Sequence, residues 1–148
     1  MLLSQPLVGF HFSVVFELLP QQPDDIRFQE VTGLTSDLET EEFVEGGENR
    51  FVHKLPKRTK YSEIILKRGM FKGSGVFQWC RRAIEDFDIQ PTNVLISLLN
   101  EKHDPLVSWY VVNAYPVQLS ISEFKSDQSA IVVESIKLNY NYFKNIRV

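Results

Sequence analysis

Three histidines, a single cysteine and a dense run of carboxylates are the residues with which this chain would carry out chemistry. A zinc site needs closely spaced ligands, and His11, His53 and His103 show neither HxH nor HxxxH spacing. Cys80 has no CxxC partner. As a nucleophile it would need a lowered pKa and a neighbouring base. It falls instead beside Phe77 and Ile84 on an apolar helical face, the setting of a buried structural thiol. The residues therefore predict no catalytic group, no metal site and no cofactor.

The carboxylates crowd between Asp37 and Glu48. Glycoside hydrolysis needs two of them in different environments facing one cleft. Side by side on one strand they make a solvated or interfacial face. Gly69, Gly73 and Gly75 imitate a phosphate loop, but GxxxxGK(S/T) and GxGxxG are both absent. Those glycines read as permitting a tight strand-to-helix turn. Trp79, Trp109, Tyr110, Tyr140, Tyr142 and Phe143 have faces that stack on bases or sugars, yet in an acidic chain core and interface packing explains them better.

The elements that must position these residues are mostly strands. Phe10, Phe12, Val14, Phe16 and Leu18 alternate with smaller or polar residues, the period-2 signal of a half-buried strand. Residues 20–25 read as a turn, and 26–31 as a second strand stopped at Thr32-Gly33. A strongly acidic strand follows from Ser36 to Glu45, ended by Gly46-Gly47. Residues 46–59 read as a long polar connection. A strand from Tyr61 to Arg68 then places Ile64 and Leu66 on one face, with Glu63, Ile65 and Lys67 on the other. One helix is expected at about 76–87, N-capped by Ser74, with Phe77, Cys80, Ile84 and Phe87 on one face. Further strands are predicted at 92–100, 106–114, 117–122 and 130–143, with a turn at 101–105 joining the first two as a hairpin. The pattern gives a mainly β fold, an antiparallel β-barrel or sandwich with one flanking α-helix.

At 148 residues the chain is most simply one domain, long enough to bury about 68–70% of its unfolded surface. A hydrophobic content of 43% with 24% charged residues favours neither disorder nor a membrane class. The net charge of −3 argues against general nucleic-acid binding. No run reaches the roughly 18 apolar residues of a membrane span. The start lacks a basic n-region, so a chain made in the cytoplasm without a signal peptide is expected.

Charge is segregated along the chain. Asp37, Glu39, Glu41, Glu42, Glu45 and Glu48 run with no Lys or Arg among them. Arg50, Lys54, Lys57, Arg58, Lys60, Lys67, Arg68 and Lys72 follow, opposed only by Glu63. One reading is two solvated faces or an internally salt-bridged hairpin. The other is a self-complementary surface, acidic on one edge and basic on another, that favours head-to-tail contact between copies. Unpaired strand edges would reinforce such contacts.

Several segments together resemble the inner-tube proteins of contractile phage tails and related injection systems, and more distantly the haemolysin-coregulated tube protein of type VI secretion. They are Phe10-His11-Phe12-Ser13-Val14, residues 28–34, Glu45-Gly46-Gly47, Lys54-Leu55-Pro56, residues 60–69, residues 94–100 and residues 109–116. The resemblance implies homohexameric rings whose strands join into one barrel around a channel, stacked into a tube. It implies a sheath protein, baseplate or spike and tube-terminating proteins as partners, with protein effector cargo in the lumen. It places the working protein in an extracellular or cell-anchored particle or a virion tail, with no membrane anchor and no specific nucleic-acid binding. The connection at 46–59 would reach neighbouring subunits. Lys57 stands where a glycine is expected, and residues 138–143 are more aromatic than a main tube subunit requires. A main subunit and a baseplate-proximal paralogue both remain open.

The expected function is thus a non-enzymatic, self-assembling tube subunit. Glu39, Glu41, Glu42, Glu45, Arg50, Lys54, Lys57, Arg58 and Lys60 are its candidate interface or lumen residues. A monomeric β-sandwich module, binding carbohydrate or peptide through Trp109 and the C-terminal aromatics, is the rival from another class. A small hydrolase built on the acidic strand is a third reading, disfavoured by the missing nucleophile and base.

Overall fold

A computed structural model describes residues 11–44, 46–47, 52–122 and 132–147. In chain order the elements are β1 (His11–Phe16), β2 (Arg27–Phe28), β3 (Glu30–Thr32), β4 (Ser36–Phe43), β5 (His53–Tyr61), β6 (Ile64–Gly69), α1 (Gly75–Glu85), β7 (Thr92–Leu99), β8 (Pro105–Ile121), β9 (Val133–Asn139) and β10 (Tyr142–Arg147). Every strand pairing is antiparallel.

The main sheet runs β2-β1-β7-β8-β9-β6-β3, with β10 also on β8. Its two halves share β8. The first half of β8 pairs with β7 and β10, and the second half with β9. Asn113 sits between them at φ 62, and the register shifts at Pro116–Gln118. A bulge bends a strand and removes the need for a ladder donor at proline. That is why the expected strands at 106–114 and 117–122 are one bent strand that turns the corner of a sandwich.

Alternation decides which residues line the interior. Val14, Phe16, Val94, Ile96 and Val111 from one half meet Ile64, Leu66, Ile136 and Leu138 from the other, and all are buried. Phe12 packs against this core from a half-buried position, whereas Leu18 is exposed because the chain turns after Phe16, where the Leu19 amide donates to the Phe16 carbonyl. Phe10 lies outside the described residues. The expected strand at 26–31 is two short strands, β2 on β1 and β3 on β6. The expected strand at 130–143 is likewise divided, into β9 and β10.

Helix α1 packs its apolar stripe against the sandwich, chiefly on β8. The buried stripe is Val76, Trp79, Cys80 and Ala83, rotated from the expected one. Phe77 is half-buried, while Ile84 and Phe87 face solvent. The helix also ends two residues earlier than the periodicity predicts. Phe87 adopts φ 53, and the amides of Asp86 and Asp88 both donate to the Arg82 carbonyl, closing the last turn. The predicted N-cap holds: Ser74 Oγ accepts from the Phe77 amide at 3.0 Å.

Beneath that cap lies a buried ionic network. Arg68 donates through Nε to Glu134 at 2.6 Å, through Nη1 to the Asp25 carbonyl at 2.6 Å, and through Nη2 to Asp25 Oδ1 at 2.8 Å and Ser74 Oγ at 2.9 Å. Asp25 Oδ2 accepts from the amides of Gly75 and Val76, the first donors of α1. The Arg68 guanidinium lies over the rings of Phe28 and Phe71. Arg68 is therefore no part of a cationic rim, and the turn at 20–25 is anchored inside the protein through Asp25. Removing one partner of such a set leaves buried charges uncompensated. Arg68→Ala should lose about 3–5 kcal/mol of unfolding free energy in urea titration.

Candidate assembly surface

The segment expected to be a long polar connection is in large part a strand. β5 occupies its second half and pairs with β4 from Ser36↔Tyr61 to Phe43↔His53. The strand expected at Tyr61 to Arg68 is accordingly split between β5 and β6, and His53 opens a strand and not a loop. The β4–β5 ribbon pairs with no other strand among the described residues. Its residues alternate between two solvent-facing sides, so neither face carries the apolar stripe that would fold it onto the core. Period-2 alternation of burial is the signal of a half-buried strand, and β5, unlike the strands of the main sheet, carries almost none of it.

The register brings most of the candidate residues together. Asp37 stands opposite Lys60, and Glu42 opposite Lys54. Between Leu38 and Thr40 the register shifts, so that Glu39 alone faces both Lys57 and Arg58. Lys57 thus sits in a bulge just after Pro56, where a strand tolerates a residue without an amide donor. Glu39 is half-buried against this site, and the other charged residues of the ribbon are exposed. Glu41 lies on β4 opposite Leu55. Glu45 and Arg50 lie outside the described residues.

Charge and apolar surface are arranged separately on this ribbon. β4 contributes Asp37, Glu39, Glu41 and Glu42, and β5 contributes Lys54, Lys57, Arg58 and Lys60, so the two free edges carry opposite signs. Among the described residues the side-chain ion pairs are Asp25–Arg68–Glu134, Arg81–Glu85 and Glu63–Lys137, and none ties a β4 carboxylate to a β5 lysine or arginine. Leu38, Phe43, Val44, Val52 and Leu55 are between 43% and 66% exposed. A two-stranded ribbon with uncovered apolar side chains is marginal by itself in water.

The residues considered for chemistry are placed elsewhere. Cys80 is fully buried, and burial, followed by the charge of Glu134, pushes its thiol up to about 12, away from a nucleophilic thiolate. His11 Nε2 and His103 Nδ1 lie 3.0 Å apart at the mouth of the β7–β8 turn. Gly73 takes φ 83 in the turn before α1, as a tight strand-to-helix turn requires. Of the aromatic residues, Trp79 is buried with its indole donating to the Gln90 carbonyl, Trp109, Tyr140 and Phe143 pack against the core, and Tyr142 is exposed. The roles of Asp25 and Glu134 are invisible in the sequence because their partners lie far away along the chain, and Gly33 reads there only as a strand stop.

The family model described as T4-like virus tail tube protein gp19 matches residues 8–144. Among solved structures, a chain in the anti-feeding prophage baseplate is similar with a TM-score of 0.79 and 28% identity, over 93% of this chain and 92% of that one. A chain of the PVC sheath–tube complex in the extended state is similar with a TM-score of 0.72 and 27% identity, over 97% and 91%. Hcp1 from Salmonella typhimurium shares the fold, with a TM-score of 0.57 and 11% identity over 94% and 87%. No curated protein matches the chain.

The exposed apolar residues of the ribbon do little for the stability of the separate subunit. Changing Leu38 and Leu55 together to serine should move the unfolding free energy by no more than about 0.5 kcal/mol, as for ordinary surface sites. Leu66→Ala in the core should lose about 2–5 kcal/mol. Urea denaturation of the two variants under non-assembling conditions checks the contrast.

Proposed function

The chain belongs to the T4-like virus tail tube protein gp19 family, and from that premise we propose that it is a structural subunit of the inner tube of a contractile injection system. Its copies form rings, hexameric by the family resemblance. The rings stack around a channel, and sheath contraction drives the tube through a target envelope with effector cargo inside. The proposed role is mechanical and non-enzymatic.

The observation that carries this reading is the β4–β5 ribbon. Among the described residues both its edges are unpaired and of opposite charge, and its apolar side chains Leu38, Phe43 and Leu55 are exposed. An acidic edge on one copy meets a basic edge on the next in a heterologous contact, which closes into a ring when the rotation allows. Strand edges add backbone hydrogen bonds to that attraction. Leu38, Phe43 and Leu55 then lose their exposure to water in the assembly, and the ribbon stops being marginal.

Solved structures similar to this chain come from a baseplate, a sheath–tube complex and a tube-terminating cap. Sheath, baseplate or spike, and terminator proteins are accordingly its proposed partners. The proposed place of action is an extracellular or cell-anchored particle or a virion tail. Among the described residues no helix is long and apolar enough to cross a membrane. Of the aromatics on which the rival reading as a monomeric carbohydrate- or peptide-binding module rests, Trp109, Tyr140 and Phe143 pack against the core and only Tyr142 is exposed.

Size-exclusion chromatography and negative-stain microscopy of the purified chain test the reading, with rings or tubes expected. A strict monomer at all concentrations, even beside its baseplate partners, would sink it. The triple change Lys54→Glu, Lys57→Glu, Arg58→Glu should abolish assembly while leaving the monomer folded. So should Glu39→Lys, Glu41→Lys, Glu42→Lys. Mixing the two variants should restore rings, since opposite edges then alternate around an even-numbered ring. Unaltered assembly of either variant alone refutes the electrostatic contact.

A further inference from the structure

The ribbon leaves the body through two short segments that touch each other. Before β4, Gly33 takes φ +90, and a Cβ placed on it would lie 1.9 Å from the Glu63 carbonyl oxygen. Only glycine fits so close to a neighbouring backbone in that conformation. The Thr35 amide donates to the Gly33 carbonyl at 2.8 Å, and the Ser62 amide donates to the Thr35 carbonyl at 3.3 Å. The two segments thus form one compact joint between the ribbon and β6.

Three rings lie against this joint. Tyr61, the last residue of β5, meets Tyr140 edge-on at 5.9 Å between centroids, and Phe143 edge-on at 5.1 Å. Tyr140 and Phe143 are 6.1 Å apart. Tyr140 Oη donates to the Ser62 carbonyl at 2.5 Å. Tyr140 stands between β9 and β10, which pair with opposite halves of β8. The rings therefore connect the base of an otherwise unsupported ribbon to the corner where the two halves of the sandwich meet. Edge-to-face contacts of this kind are directional, so they hold an angle as well as a distance. Burial pushes the Tyr140 hydroxyl up to about 12.

We propose that Tyr61, Tyr140 and Phe143 form a latch that fixes the direction in which the β4–β5 ribbon leaves the body, and that this direction determines which surface of a neighbouring copy the ribbon reaches. The first half of this proposal concerns the single subunit. The second half rests on the tube reading. Tyr140 is a positioning residue: it lies outside the charged edges and acts through Ser62 and Tyr61.

Hydrogen exchange on the full chain under non-assembling conditions tests the first half. Tyr140→Ala should speed exchange at the amides of residues 61–63 by about tenfold or more, the scale of a lost hydrogen bond with its ring contacts. Tyr140→Phe, which keeps the ring and removes only the donor, should give a smaller rise at the same amides. Exchange in β7, at Val94 to Leu98, should stay within twofold for both. Unchanged exchange at the joint overturns the latch, and so does a rise shared equally by β7, which would mean general loosening. Microscopy of the same variants tests the second half. Tyr140→Ala should yield broken or irregular rings where Tyr140→Phe yields regular ones. Regular rings from a Tyr140→Ala chain with a loosened joint overturn the claim about direction. Failure of the unaltered chain to form rings counts against the tube reading and leaves the exchange result to judge the latch.

Discussion

The Arg68 guanidinium is the group through which distant parts of this chain are made to agree. It comes from the end of β6, yet it holds the turn before β2 through Asp25, the start of β9 through Glu134 and the cap of α1 through Ser74. Asp25 in turn receives the first amides of the helix, so its carboxylate answers both a cation and the positive end of the helix dipole. Apolar packing of β6 against β9 would tolerate small adjustments of position. A charge-assisted network with this many fixed distances tolerates few, because each misplaced atom leaves a buried polar group unpaired. Among the described residues, Glu134 Oε2 alone is buried without a partner. The network therefore does more to specify how helix and sheets meet than to add net stability, in line with the large desolvation that buried ion pairs incur.

With the body specified in this way, the ribbon can remain under-supported. The apolar groups of the body are inside it, in Val14, Ile64, Leu66, Ile96, Ile136 and Leu138, all fully buried. Those of the ribbon are outside. The proposed tube subunit separates the two demands, since residues that cover another copy cannot also cover its own core. The charges follow the same division. Arg68 is consumed inside the protein, while Lys54, Lys57, Arg58 and Lys60, close to it in sequence, stay exposed on β5.

The contrast between Leu66 and Leu38 shows how much was legible in the sequence. Leu66 follows Ile64 at a spacing of two on a strand buried on one face, so the period-2 reading places it correctly. Leu38 lies on a ribbon with no buried face; the acidic strand reads as a strand ended by Gly46-Gly47, but its partner, carrying Pro56 and four cations, reads as loop. Local punctuation was informative where the physics is local, as in the Ser74 cap and the turn at 101–105, where Asn100 Oδ1 accepts from the amides of Lys102 and Asp104. It failed where one residue answers to another far off. Asp25 looked like any turn aspartate because the amides it caps lie 50 residues ahead. The stripe of α1 differs from the expected one because Val76, Trp79, Cys80 and Ala83 fit the helical period as well as Phe77, Cys80 and Ile84 do, while the positive φ at Phe87 takes that residue out of the helix.

The proposed ring or tube would place a particular requirement on such a molecule, because a small angular error at each contact accumulates around the closure. Edge charges supply attraction over several ångströms but specify angle poorly, since an exposed lysine adapts to many positions of its carboxylate. Backbone pairing at a strand edge specifies register along the strand, yet by itself it leaves the twist of a two-stranded ribbon free to vary. Angle has to come from the joint between ribbon and body. There the structure has a glycine that admits no side chain, a backbone bond from Ser62 to Thr35, and three rings braced on the corner of β8 through the strands that flank Tyr140. Attraction, register and angle are thus assigned to different residues, and a substitution in one group should leave the other two measurable.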